Sequence, residues 1–288
     1  MEKWFYEMYG IPYSLFTHNI YVKGTLRYEI FVITEIDKMQ DYSLFTSELS
    51  NILQVAPVTI LVNTLGELYS FYQDNWYVVL VGENTSMRLA DIIKMHELGR
   101  SQSLTFSVEE MMERWLERVN HIEKNILPTL PSLVKYEELL VNIYVAISIG
   151  ESAIHYLRYI SLEELGACLT HARLSFLDSF YVLNPLYIKV DHECRDYVEL
   201  YNAKRIESDE FLNLIKDYSR DEMLYTVARL LFPTLFFDYL EELFISQEWE
   251  IQYIYDLESD LARKAKLALQ IMEVYELPSI EYLFSFVQ

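Results

Sequence analysis

The sequence predicts an α+β protein of two lobes, a small antiparallel β-rich lobe over residues 1–82 and a larger α-helical lobe over residues 83–288. Three observations carry this. Runs of β-branched and aromatic residues gather before Gly82. Apolar residues at helical spacing dominate after it. Only 7 Gly and 7 Pro occur among 288 residues, so loops are few, and no low-complexity tract or flexible linker divides the chain.

In the first lobe, Ile20–Tyr21–Val22 and Tyr28 to Thr34 read as strands joined by a turn at Lys23–Gly24–Thr25. Asp41 to Gln54 has helical spacing, with Leu44, Phe45, Leu49 and Leu53 on one face. Val58 to Asn63, Leu68 to Tyr72 and Trp76 to Val81 follow as strands, with turns at Thr64–Leu65–Gly66 and Gln73–Asp74–Asn75. The order of two strands, one helix and three strands predicts a small sheet with one helix packed on it.

In the second lobe, Met87 to His96 and Val108 to Ile126 read as helices, the latter with acids at its start and Pro128 and Pro131 beyond its end. Tyr136 to Tyr159 is a helix apolar on most faces, hence central. Leu162 to Leu174 is expected as a transition, and Phe180–Val182 with Tyr187–Val190 as a short β pair. Asp196 to Gln288 is helical, punctuated by Pro233 and Pro278.

Composition restricts the partners. The hydrophobic fraction of 52% excludes a disordered chain. Twenty-three basic against 44 acidic side chains leave a net charge of −21, which argues against nucleic acid or anionic membrane as partner, since both need a basic surface. Two cysteines, Cys168 and Cys194, give no disulfide framework and point to a reducing compartment. Met1 to Tyr9 lacks the pattern of a signal peptide, and Ile52 to Leu61 and Leu224 to Phe237 are too short or interrupted to span a bilayer. A cytoplasmic protein is expected. The six histidines form no metal-binding spacing, and there is no Gly-x-Ser-x-Gly or Gly-x-Gly-x-x-Gly loop. The 24 tyrosines read as packing of amphipathic rings, with oxidative cross-linking the alternative.

A five-stranded lobe with one helix, then a helical lobe with a small strand pair, resembles protein-kinase-like folds, and among them the aminoglycoside phosphotransferases. Leu169–Thr170–His171–Ala172–Arg173–Leu174 stands where that resemblance places the catalytic His-Gly-Asp loop. Lys189–Val190–Asp191–His192 stands where it places a metal-binding Asp. Ile147 to Leu157, Asp191–His192–Glu193–Cys194–Arg195–Asp196–Tyr197–Val198–Glu199, and Leu231–Phe232–Pro233 with Phe236–Phe237–Asp238 and Glu241 are similar to segments of the spore coat YutH/CotS-type proteins.

Phosphoryl transfer needs backbone amides over the phosphates, a strand Lys, metal-binding acids and a catalytic Asp. The hairpin offers one glycine, Gly24. The strand Tyr28 to Thr34 holds no Lys; Lys23 and Lys38 lie outside it, and Glu48 on the next helix would be the acid pairing with such a Lys. Arg173 stands at the base position that the resemblance implies, and an Arg cannot accept a proton at neutral pH. Arg173 is expected in an ion pair with Asp178 or Asp191, or clamping an anion. Asp178, at the metal-binding Asn position, and Asp191 are the metal candidates, with ATP and Mg²⁺ the cofactors if the cleft works. Arg195 and Asp196 are expected as a structural pair.

Three readings follow: a degenerate kinase-like protein, or pseudokinase, with an interaction role in spore coat assembly and coat proteins as partners; a small-molecule phosphotransferase using Asp178 or Asp191 as base; or a nucleotide sensor without turnover.

Overall fold

The computed structural model describes residues 1–33, 39–100, 104–130, 137–246 and 252–286. The chain forms two compact units: Met1–Ser103 with Cys168–Asp191, and Leu104–Ala167 with His192–Gln288. The first unit takes in residues 83–103 and Cys168–Asp191 together with residues 1–82.

The first unit is built on an antiparallel sheet. Its strands are β1 (Ile20–Lys23), β2 (Leu26–Ile33), β3 (Thr59–Ile60), β4 (Ser70–Tyr72) and β5 (Asn75–Glu83), ordered β1-β2-β5-β3 with β4 also on β5. Gly24, at φ 64, supplies the left-handed residue that the tight β1–β2 turn requires. Side chains alternate across the sheet, so the register of β2 on β5 sorts two faces. One face carries Ile30 and Val79 and is covered by helix α1 (Glu2–Tyr9), whose Phe5 and Tyr9 stand one turn apart. The other face carries Arg27, Glu29 and Phe31. Helix α2 (Met39–Leu53) packs on β3 and on the turn Pro185–Tyr187. Helix α3 (Leu89–Arg100) approaches the later strand closely at Gly99, where a Cβ would sit 2.7 Å from Leu169 N.

The second unit is mostly helical, but strand β6 (Leu104–Ser107) enters it first. Ser107 caps helix α4 (Val108–His121) by accepting from Glu110 N. The chain then widens into a π-helical turn over Ile122–Ile126 and tightens into a 3-10 turn over Leu127–Thr129 before helix α5 (Glu137–Leu157). Strand β7 (Glu164–His171) pairs antiparallel with β6 through its first half. The segment expected as a transition is therefore a strand. Its run from Leu165 to His171, buried but for Gly166, gave no alternation to read.

The second half of β7 belongs to the first unit and pairs with β8 (Ile188–Asp191). The expected strand at Phe180–Val182 is instead a helical turn, α6 (Ser179–Val182), started by Asp178 as its N-cap. Its β-branched and aromatic content suggests a strand; the cap overrides it.

The rest of the second unit is helical: α7 (Cys194–Asn202), α8 (Ser208–Ile215), α9 (Arg220–Leu231), α10 (Thr234–Ser246) and α11 (Gln252–Val274). Trp115 of α4 stacks on Phe232 at 4.2 Å, and α9 packs along α5. By length and composition alone, Glu137–Leu157 and Arg220–Ile245 are apolar enough to cross a membrane. Half of the first and 78% of the second are buried inside the protein, and Pro233 interrupts the second.

Candidate functional site

The loop expected to carry chemistry starts at the end of β7. His171 is fully buried, and its Nε2 lies 2.9 Å from Val182 O. Ala172 N donates to Tyr187 O at 2.6 Å, and Arg173 Nη1 donates to Ala172 O at 2.6 Å. Asp178 Oδ1 accepts from Tyr181 N at 3.0 Å, so this candidate metal ligand serves as a helix cap. Asp191, 1% exposed, closes β8 opposite Cys168, while His171 stands opposite Ile188. His171 and Asp191 thus occupy opposite ends of one ladder, about 10 Å apart along the strand.

The sheet face across from α1 carries a largely buried ion pair. Arg27 and Glu29 alternate on β2 and so share that face. Arg27 Nε and Nη2 both donate to Glu29 Oε2, at 3.0 and 2.5 Å, and the two side chains are 14% and 16% exposed. The guanidinium lies 4.5 Å from the centre of the Phe180 ring and 5.5 Å from that of Tyr181. Tyr187 meets Phe31 edge-on and stacks on Tyr181. Burial would lower the pKa of Arg27, but Glu29 and Tyr181 leave it raised. Burial, with Glu29 and Tyr181 nearby, pushes the Tyr187 phenol up to about 12, against the pull of Arg27.

The other parts of a phosphotransferase fit poorly. Strand β2 contains no Lys, Lys23 is exposed at the end of β1, and Lys38 lies outside the described residues. Glu48 is exposed on α2. The cation of β2 is neutralised within its own strand, and one carboxylate oxygen of Asp178 is occupied as a cap.

In the second unit, the residues of the 192–199 signature are buried and serve structure. His192 Nδ1 accepts from Cys194 N at 3.2 Å, which places a proton on Nε2, 3.3 Å from Glu222 Oε1. Tyr218 OH donates to Glu193 at 2.9 Å. Arg195 and Asp196 are buried. Arg118 ties α4 to α10 through Asp238 and Glu241, the acids of the late segment. The sequence signal for the Arg27 pair was an Arg-x-Glu alternation inside a strand. Arg118 had no local signal, since its partners lie 120 and 123 residues away.

A family model described as "Spore coat putative kinase YutH" matches residues 2–272. An aminoglycoside phosphotransferase from Alicyclobacillus acidocaldarius subsp. acidocaldarius DSM 446 aligns over 94% of this chain and 95% of its own, at 10% identity and a TM-score of 0.47. No curated protein matches the chain.

Proposed function

From the premise that the chain belongs to this family of spore coat kinase-like proteins, we propose that it is a pseudokinase, a scaffold that keeps the kinase-like fold and works by binding other proteins of the spore coat. The observation that carries this reading is the Arg27–Glu29 pair. Strand β2 offers no Lys to hold phosphate, and the cation it does carry, Arg27, is bound to a carboxylate of the same strand and packed against Phe180 and Tyr181. Arg173 at the base position supports the same reading, because a guanidinium removes no proton from a substrate hydroxyl. The net charge of −21 favours neither nucleic acid nor anionic lipid as partner.

Thermal unfolding with millimolar ATP and Mg²⁺, together and singly, tests it. A ligand at about a hundredfold its Kd adds roughly 2.7 kcal/mol, a shift of a few degrees for a chain this long. The expected result is no shift. A shift that needs both metal and nucleotide, accompanied by phosphate transfer, would return the phosphotransferase reading; a shift without turnover would make the protein a nucleotide sensor.

A further inference from the structure

Helix α5 is apolar on most faces, yet one of them stays open. Its packed side meets α4, α9 and α11 and buries Leu139, Ile143, Ala146 and Gly150. The open side carries Glu137, Val141, Tyr144, Ser148, Glu151 and His155, with Arg158 in the turn that ends the helix. These residues follow at alternating steps of four and three, and every one is exposed. Val141 is 60% and Tyr144 54% exposed. Alternating steps of four and three are the seam by which one helix packs along another.

The charges on the seam select the partner. Its first end carries Glu137, and its last end carries His155 and Arg158. Among the described residues, no ion pair within the chain engages Glu137, Glu151 or Arg158. A copy of the same face, turned end for end about Ser148, sets Glu137 opposite Arg158, Val141 opposite His155 and Tyr144 opposite Glu151. Each layer is then complementary. A carboxylate meets a guanidinium, a phenol donates to a carboxylate, and the small Ser148 meets itself at the axis, where the helices come closest. Parallel pairing would instead oppose Glu137 to Glu137 and Glu151 to Glu151. A basic partner would suit those two acids and repel Arg158.

We propose that this face of α5 is a contact between two copies of the chain, packed antiparallel about a twofold axis at Ser148. The inference goes beyond the scaffold reading and does not depend on whether nucleotide binds. One helix pair about 32 Å long is a small interface, and a net charge of −21 on each copy opposes it. Association is therefore weak, with a Kd on the order of 10–100 μM.

Sedimentation equilibrium of the full chain from about 5 to about 500 μM brackets that Kd, and the wild type should pass from monomer to dimer across the range. Glu137→Lys and Arg158→Glu should each weaken association at least about fivefold. Glu137→Lys/Arg158→Glu should recover most of the loss, because the exchanged charges again face each other. Ser148→Cys under mild oxidation should form a disulfide between chains, whereas Asn213→Cys, exposed on α8, should not. The native Cys168 and Cys194 are buried and do not compete. The substituted positions are all exposed, and an unchanged Tm shows that the variants fold. A wild type still monomeric at about 500 μM overturns the proposal. So does a dimer in which Ser148→Cys fails to cross-link, or in which the double variant associates no better than the single ones, since another face then holds it. Binding to neutral phosphatidylcholine vesicles that is lost in Tyr144→Ser would give the face to lipid and overturn the proposal as well.

Discussion

Replacing Arg27 with Met leaves Glu29 on the sheet face with its cation gone. The two side chains are 14% and 16% exposed, so the carboxylate keeps little access to water. Removing one member of a buried pair costs about 3–5 kcal/mol, and the residual exposure places this pair at the low end, about 3 kcal/mol. Loss of the guanidinium over Phe180, at 4.5 Å, adds about 0.5–1 kcal/mol. An unfolding entropy of roughly 2.1 cal/mol/K per residue over the whole chain converts about 3 kcal/mol into a fall in Tm of about 5 °C. Arg27→Met/Glu29→Leu removes both charges and keeps comparable volume. It should lie within about 1 kcal/mol of the wild type, because no charge is then left stranded. Tm by circular dichroism, with urea unfolding as a second measure, gives the cycle. The reasoning is refuted if Arg27→Met costs under about 0.5 kcal/mol, the range of an ordinary surface change. It is equally refuted if the double variant is as unstable as the two single variants combined.

Three further outcomes are expected. Gly99→Ala places a Cβ 2.7 Å from Leu169 N, a strand backbone atom that cannot step aside, and should cost roughly 2–3 kcal/mol by urea unfolding. The hydrogen bond from His192 holds the Glu222 carboxyl down at about 2 from its ordinary 4.5, against burial and with help from Ser219. Stability from Glu222 is therefore present above pH about 4.5 and lost as pH falls towards 2, and Glu222→Gln should flatten the fall of Tm across that window. Trp115→Ala empties a 5% exposed site stacked on Phe232 and should cost about 3–5 kcal/mol in the same unfolding assay.

The sheet was legible because its strands alternate and its turns carry their own chemistry. Lys23–Gly24–Thr25 marks a hairpin whose Gly24 has φ 64, and Gln73 and Asp74 both take positive φ where a turn was expected. Strand β7 was not legible, because a strand buried on both faces loses the two-residue period. Phe180–Val182 was misread because a cap four residues from a turn's end decides more than the β propensity of its aromatic content. At the site, Arg173 and the strand without Lys could be read directly, since both are statements about residue type. Ser179 could not, because its hydroxyl meets residues 94 and 96 positions earlier, and sequence carries no period for such a contact.

The electrostatics of β2 can be weighed as an approaching phosphate would meet them. At about 4 Å and an effective dielectric of about 20, one unit charge is worth about 4 kcal/mol. Arg27 supplies that much attraction, and Glu29, which shares a hydrogen bond of 2.5 Å with it, supplies nearly the same repulsion. To gain the attraction alone, phosphate would have to displace Glu29 from both Nε and Nη2 and leave its carboxylate without that cation, close enough to the Tyr187 phenol to raise its pKa. The long-range field adds a second barrier, since a net charge of −21 repels a polyanion before contact. Screening weakens the second barrier and leaves the first nearly intact, because buried pairs feel salt far less than exposed charges. Raising ionic strength from about 0.05 to about 0.5 M should therefore fail to bring out ATP binding in calorimetry with the wild-type chain. Saturable binding appearing at high salt would mean that global repulsion, rather than the Arg27–Glu29 pair, had kept the nucleotide out.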